Sequence, residues 1–189
     1  MASDLNALGP LRYVENRTKC LMKSFALSGL AQRRLMLGSE FTNQFAHHWL
    51  VWEPGVWKVP RGTAGDCPTI SPQMPPQFKP SAKDPLCFVL LSRNEASSFN
   101  IGRALGNDLV LSDGTVSRNH CSLARSGESW VVTCSSEAKS LKIDDITLKS
   151  GESVEIRTGQ RMLLGHIALT LLDPKAMLQR LDSLPLHLV

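Results

Sequence analysis

The chain has 189 residues, 42% of them apolar and 20% charged, with a formal net charge of +4. That is ordinary globular usage, long enough to bury a core without disulfide or metal staples, and no apolar run reaches bilayer-spanning length. Five cysteines, an odd number with no CxxC pair, argue against a zinc site or a disulfide framework and read as reduced, buried thiols.

Met1 to Pro10 shows no basic region followed by an apolar stretch, which predicts a cytoplasmic chain without a secretory signal. Residues Leu11 to Leu37 carry Leu11, Val14, Leu21, Phe25, Leu27, Leu30 and Leu35 with basic residues between them, a helical pattern that Gly38 ends. Ser39 is placed to cap a short second helix holding Phe41 and Phe45. Trp49-Leu50-Val51-Trp52 reads as a strand stopped by Pro54-Gly55, with Val56 to Val59 as a hairpin return. Residues 1–60 thus form an N-terminal helical and strand extension. Arg61 to Pro85 holds Pro68, Pro72, Pro75, Pro76, Pro80 and Pro85, and proline both removes donors and blocks helix, so 61–85 is a linker.

After Pro85 the texture changes to short runs of period two. Phe99 and Ile101 alternate, as do Leu109 and Leu111, Cys121 and Leu123, then Trp130, Val132 and Cys134. Leu141 and Ile143, Val154 and Ile156, and Ile167, Leu169 and Leu171 continue the pattern, with Asp113-Gly114, Ser126-Gly127, Ser150-Gly151 and Thr158-Gly159 between runs. Many short strands without intervening helices predict an all-β fold, a two-sheet antiparallel β-sandwich. Residues 174–189 form a tail, with Leu178, Leu181 and Leu184 at helical spacing.

Charge is unevenly spread. Up to Pro85 there are 10 Lys and Arg against 6 Asp and Glu, whereas Leu86 to Asp173 has 9 against 10. The β-rich half is therefore no nucleic-acid surface by charge, and the basic excess before it reads as a solvated helix face.

One stretch carries chemistry. Phe99-Asn100-Ile101-Gly102-Arg103 is followed by Asn107-Asp108, an alternating strand, Asp113, and Val116-Ser117-Arg118-Asn119-His120. Arg103 offers the planar, bidentate fork that matches a phosphate, and Gly102 beside it permits close packing. Ser117 adds a short hydroxyl donor and Arg118 a second cation. Asn107 and Asp108 set a turn. No glycine-rich nucleotide loop, metal-ligand cluster or G-x-S-x-G elbow suggests an enzyme.

These residues, in this order and spacing, resemble the signature of the forkhead-associated (FHA) family, and the resemblance covers about Leu86 to Asp173. It implies a β-sandwich, residues 86–173, whose loops at one end bind a phosphothreonine-containing protein or peptide in kinase-dependent signalling. It implies no cofactor, no catalytic centre, no nucleic acid and no membrane as partner. Arg103 and Ser117 are then phosphate contacts, Arg118 a further peptide contact, and Gly102, Asn107 and His120 loop-structuring residues. One element departs from the family pattern. Where the family carries Asn-Gly-Thr, this chain has Ala138-Lys139-Ser140, so the amide that orients the peptide is replaced by a methyl. Lys139 and Ser140 are the binding candidates left there, Lys139 with a compensating charge. The departure keeps a second reading open: a degenerate FHA module acting as a phosphate-independent interaction or structural scaffold. Use in a secretion-apparatus ring is a variant of it, although such proteins usually carry a membrane span.

Overall fold

The computed structural model describes residues 24–53, 84–90, 98–138 and 140–184. Ser24–Ala26 forms a short strand, β1, and the chain turns directly into helix α1, Leu27–Leu37, then α2, Glu40–Gln44. Strands β2 (His48–Trp52) and β3 (Leu86–Leu90) follow. Next come β4 (Phe99–Gly102), β5 (Leu109–Val110), β6 (Cys121–Ser126) and β7 (Ser129–Cys134). The last strands are β8 (Leu141–Ile143), β9 (Ile146–Leu148), β10 (Ser153–Ile156), β11 (Arg161–Leu164) and β12 (Ile167–Leu172). Helix α3, Pro174–Asp182, closes the described chain, capped by Asp173, whose carboxylate accepts from the Ala176 N–H.

The strands make two sheets. One has seven strands in the order β1-β3-β2-β12-β11-β8-β9, and the other five in the order β10-β7-β6-β4-β5. All pairings are antiparallel except β4 with β5. The all-β sandwich expected from the alternating runs is the architecture found, and among the described residues no helix lies between β3 and β12.

The sheets enclose one core, in which Leu50, Phe88, Ile101, Leu123, Trp130, Val132, Leu141, Met162 and Leu169 are buried. The outer face of the seven-stranded sheet carries a second apolar layer. There Trp49, Val51, Cys87 and Val89 meet Leu27, Leu30 and Ala31 of α1, Phe41 of α2, and Met177 and Leu181 of α3. This explains why Trp49 to Trp52 and Leu86 to Leu90 read as continuous apolar runs. Both strands are covered on both faces, and a strand with no solvent face has no polar alternation to show.

The expected helix over Leu11 to Leu37 is found from Leu27 onward, while Ser24–Ala26 pairs as a strand with Leu86–Phe88. Ser39 precedes α2, but its side chain makes no cap bond. Residues 11–23, the proposed hairpin return at 56–59 and the linker up to 83 lie outside the described residues. The strand-like run of the extension, β2, sits inside the seven-stranded sheet: Trp49 opposes Val89 of β3 on one side and Leu172 of β12 on the other. The C-terminal helix is tied to the end of β2 by the Arg180–Glu53 pair, bidentate at 2.6 and 2.8 Å.

Candidate functional site

Three loops gather at one end of the sandwich. The first, 103–108, follows β4 and must return within a few residues to run parallel to it as β5, with Gly102 opposite Val110. Parallel neighbours normally need a much longer crossover. The chain therefore arches over the sheet end, and the arch begins at Arg103. The second loop, 111–120, joins β5 to β6. The third, 135–140, joins β7 to β8.

The first two loops are zipped together by backbone. Arg103 N–H donates to the Ser117 carbonyl and Ala104 N–H to the Arg118 carbonyl, both at 3.0 Å. Buried Asn107 reinforces the seam: its Nδ2 donates to Arg118 O at 2.7 Å and to Ala104 O at 2.9 Å. Gly102 makes the approach possible, because a Cβ there would overlap the Arg118 carbonyl oxygen and lie 2.9 Å from Asn107 Nδ2.

His120 joins the second loop to the third. It is 2% exposed. Its Nδ1 accepts from Ser117 N–H at 3.1 Å and its Nε2 reaches the Ser140 carbonyl at 3.0 Å. Those partners assign the neutral tautomer with the proton on Nε2. Burial pushes the His120 pKa below the usual histidine value, against the Ser140 hydrogen bond, which raises it. With both ring nitrogens engaged by backbone, the ring has no lone pair left for a substrate proton.

A second brace escaped the sequence reading. Thr115 Oγ1 donates to Asp113 Oδ1 at 2.5 Å and accepts from His166 N–H at 3.0 Å. Gly165, at φ 60°, packs so closely on Thr115 that a side chain would collide with it. The second loop is thereby clamped to the β11–β12 hairpin. In sequence, Asp113-Gly114 signals only a turn, and nothing local points to a partner fifty residues away.

Arg103 and Ser117 are half-buried and Arg118 is exposed, all on the two zipped loops. Among the described residues neither guanidinium is paired with a carboxylate. Ser140 is exposed and lends its carbonyl to His120. Lys139 lies outside the described residues. Ala138 is 7% exposed and its methyl belongs to the inter-sheet core, while its N–H donates to the Ser135 carbonyl at 3.0 Å.

Residues 93–175 match the family model described as the cytoplasmic domain of an inner membrane component of the type III secretion system. The chain carries an FHA-type domain. Structural likenesses to FHA domains accompany that match. The FHA domain of the CT664 protein from Chlamydia trachomatis shares 20% identity at a TM-score of 0.41, over 46% of this chain and 84% of that one. That of an Arabidopsis thaliana hypothetical protein shares 18% at 0.45, over 68% and 86%. The MEK1 FHA domain shares 12% at 0.46, over 71% and 95%. No curated protein matches the chain in sequence. Among the described residues of this FHA-type chain, no helix is long and apolar enough to cross a membrane.

Proposed function

We propose that the domain is a non-catalytic reader of phosphothreonine on a partner protein, acting on the cytoplasmic side in kinase-dependent signalling. The observation that carries this reading is Arg103, a half-buried residue with no carboxylate partner among the described residues, on a backbone fixed against Ser117. A partly desolvated cation is costly unless an anion completes it, and a phosphate monoester supplies nearly two charges and three acceptor oxygens. Arg103 gives the bidentate fork, Ser117 the hydroxyl donor, and Arg118 a second cation toward the peptide. Ser140 flanks the phosphate from the third loop, and Lys139, next to it in sequence, is a further candidate by its charge alone. Gly102, Asn107 and His120 hold the loops in register rather than touching ligand. The engagement of both His120 nitrogens supports a binding module over an acid–base catalyst.

A second reading is favoured by Ala138. With a buried methyl where the family has a peptide-holding amide, the third loop offers less to a phosphopeptide backbone, and docking without phosphate becomes the alternative. The family description, a type III secretion inner membrane component, agrees with such a scaffold role. Titrating the protein against a phosphothreonine peptide library and its unphosphorylated twin, with Arg103→Ala as control, separates the two. Phosphate-dependent binding lost in Arg103→Ala supports the reader. Equal binding of both peptide sets, unmoved by that substitution, supports the scaffold.

A further inference from the structure

Beside the zipped loops, on the open side of the five-stranded sheet, lies a cleft of about 350 Å³. Its walls hold Asn100, Asn107, Asn119, Ser122, Thr133 and Ser135, with Gly106 and Cys121. No charged side chain lines it, but two carboxylates are bonded to its lining. Glu137 Oε2 accepts from Asn119 Nδ2 at 3.2 Å, and the Glu137 N–H donates to Ser135 Oγ at 3.4 Å. Asp108 Oδ2 accepts from the Asn100 N–H at 2.8 Å. Neither carboxylate is paired with a cation among the described residues.

The end of the sandwich is therefore bipolar. Arg103 and Arg118 stand on the zipped loops, and Glu137 and Asp108 stand around the cleft. Asn119, a wall residue, directly follows Arg118, so the two halves are one residue apart along the chain. An extended peptide advances about 3.3–3.6 Å per residue and can present side chains to both halves at once. The side-chain oxygens of Asn100 and Ser122 offer acceptors that suit a donor-only head group, while Thr133 Oγ1 already pairs with Ser153 Oγ at 2.8 Å.

We propose that this cleft is a second subsite that takes a lysine or arginine side chain flanking the phosphothreonine, with Glu137 as its charge partner. The proposal rests on the phosphothreonine reading above. It adds a requirement that phosphate recognition alone does not contain: discrimination among phosphopeptides by the charge of a neighbouring residue.

The test uses the full chain and fluorescence anisotropy. Phosphothreonine peptides carry Lys or Glu at each flanking position in turn, and each has an unphosphorylated twin. At one flanking position Lys should bind about two- to fivefold tighter than Glu, the range of an exposed carboxylate pair. The preference should shrink as salt rises. Glu137→Gln keeps an oxygen acceptor for Asn119 and should bring the ratio close to unity, while Glu137→Lys should invert it. Phosphate-dependent binding with no position favouring Lys overturns the subsite and leaves the reader intact. A Lys preference that persists undiminished in Glu137→Gln also overturns it. Equal binding of phosphorylated and unphosphorylated peptides overturns the phosphothreonine reading, and the subsite with it.

Discussion

The two sides of the proposed binding end are built differently. The Arg103 side is over-determined: two backbone hydrogen bonds, the Asn107 side chain and a glycine contact lock 103–108 to 111–120. The Ser140 side is held in another way: the His120 ring bonds the Ser140 carbonyl, the Ser135 N–H donates to the His120 carbonyl, Asn119 reaches Glu137, and the Ser135–Ala138 turn gives its central methyl to the core. Rigid placement of donors is what phosphate recognition demands, because a pre-organised fork loses little entropy on binding. On the proposed reading, the half that would orient the peptide backbone carries the buried Ala138 methyl where the family has an amide. The difference teaches that, on the proposed reading, phosphate capture and peptide grip rest on separate hydrogen-bond sets and should be alterable one at a time.

The largest effect expected is on the strong side. Arg103→Ala should lower phosphothreonine-peptide affinity by about a hundredfold, the loss of a charge-assisted bidentate contact. Its unfolding free energy should move by less than about 0.5 kcal/mol in denaturant titration, because the residue is partly exposed and makes no ion pair among the described residues. Arg103→Lys should recover only part of the affinity.

His120→Ala attacks the bridge between the two sides. It strands the Ser117 N–H and the Ser140 carbonyl and opens a cavity, so we expect a loss of about 2–4 kcal/mol in urea unfolding. Gly102→Ala attacks the seam alone. The new methyl has to push the Arg118 carbonyl away, costing about 1–3 kcal/mol and weakening phosphopeptide binding as Arg103 shifts from Ser117.

A smaller effect separates the bridge from the seam by pH. Folding depresses the pKa of His120, and burial together with nearby Arg125 does the same to His48. Below the unfolded histidine pKa, about 6.5, the unfolded chain takes up protons that the folded chain does not. Stability is therefore fully present above that value, falls as pH drops through it, and levels off below the folded pKa values. The melting temperature should decline between pH 7.5 and 5.5, and His120→Gln should flatten but not abolish the decline, because His48 remains. A slope unchanged in His120→Gln would show that the bridge does not titrate as assigned.

The smallest effect sharpens the comparison from the Ser140 side. Ala138→Asn places an amide at a position whose Cβ packs in the core. It should cost about 1 kcal/mol and change phosphopeptide affinity by less than about threefold. A gain of tenfold or more would show that the third loop has the family shape and lacks only the amide.

The sandwich was legible in the sequence because strands with one solvent face announce themselves by alternation, as in Trp130, Val132 and Cys134. The seam between the first two loops was legible because Gly102 and Asn107 stand where the close approach needs them. The part that local pattern does not reveal is pairing at a distance. Nothing around Trp49 states that β2 lies between β3 and β12, since an apolar run has the same appearance at an edge or in the interior. The Thr115–His166 brace and the Glu137–Asn119 contact are also invisible in sequence, each joining residues that only the fold brings together.

The pairing of β2 with β3 has a consequence for where this chain tolerates novelty. Trp52 and Leu86 are register partners, so the sequence between them departs from and returns to a single point at one end of the sheet. Just beyond that point, Asp84 is held by the N–H and hydroxyl of Ser28, which fixes the re-entry. For a detour with anchored ends, the entropy of closure grows only logarithmically with length, about 0.6 kcal/mol per doubling. The register of the sheet is thus nearly indifferent to the length of the detour. Because Trp52 opposes Leu169, near the start of β12, that stretch leaves and re-enters the sheet at the end where the β11–β12 hairpin clamps the second loop, so a change in its length alters what stands beside the three loops while the sheet keeps its register.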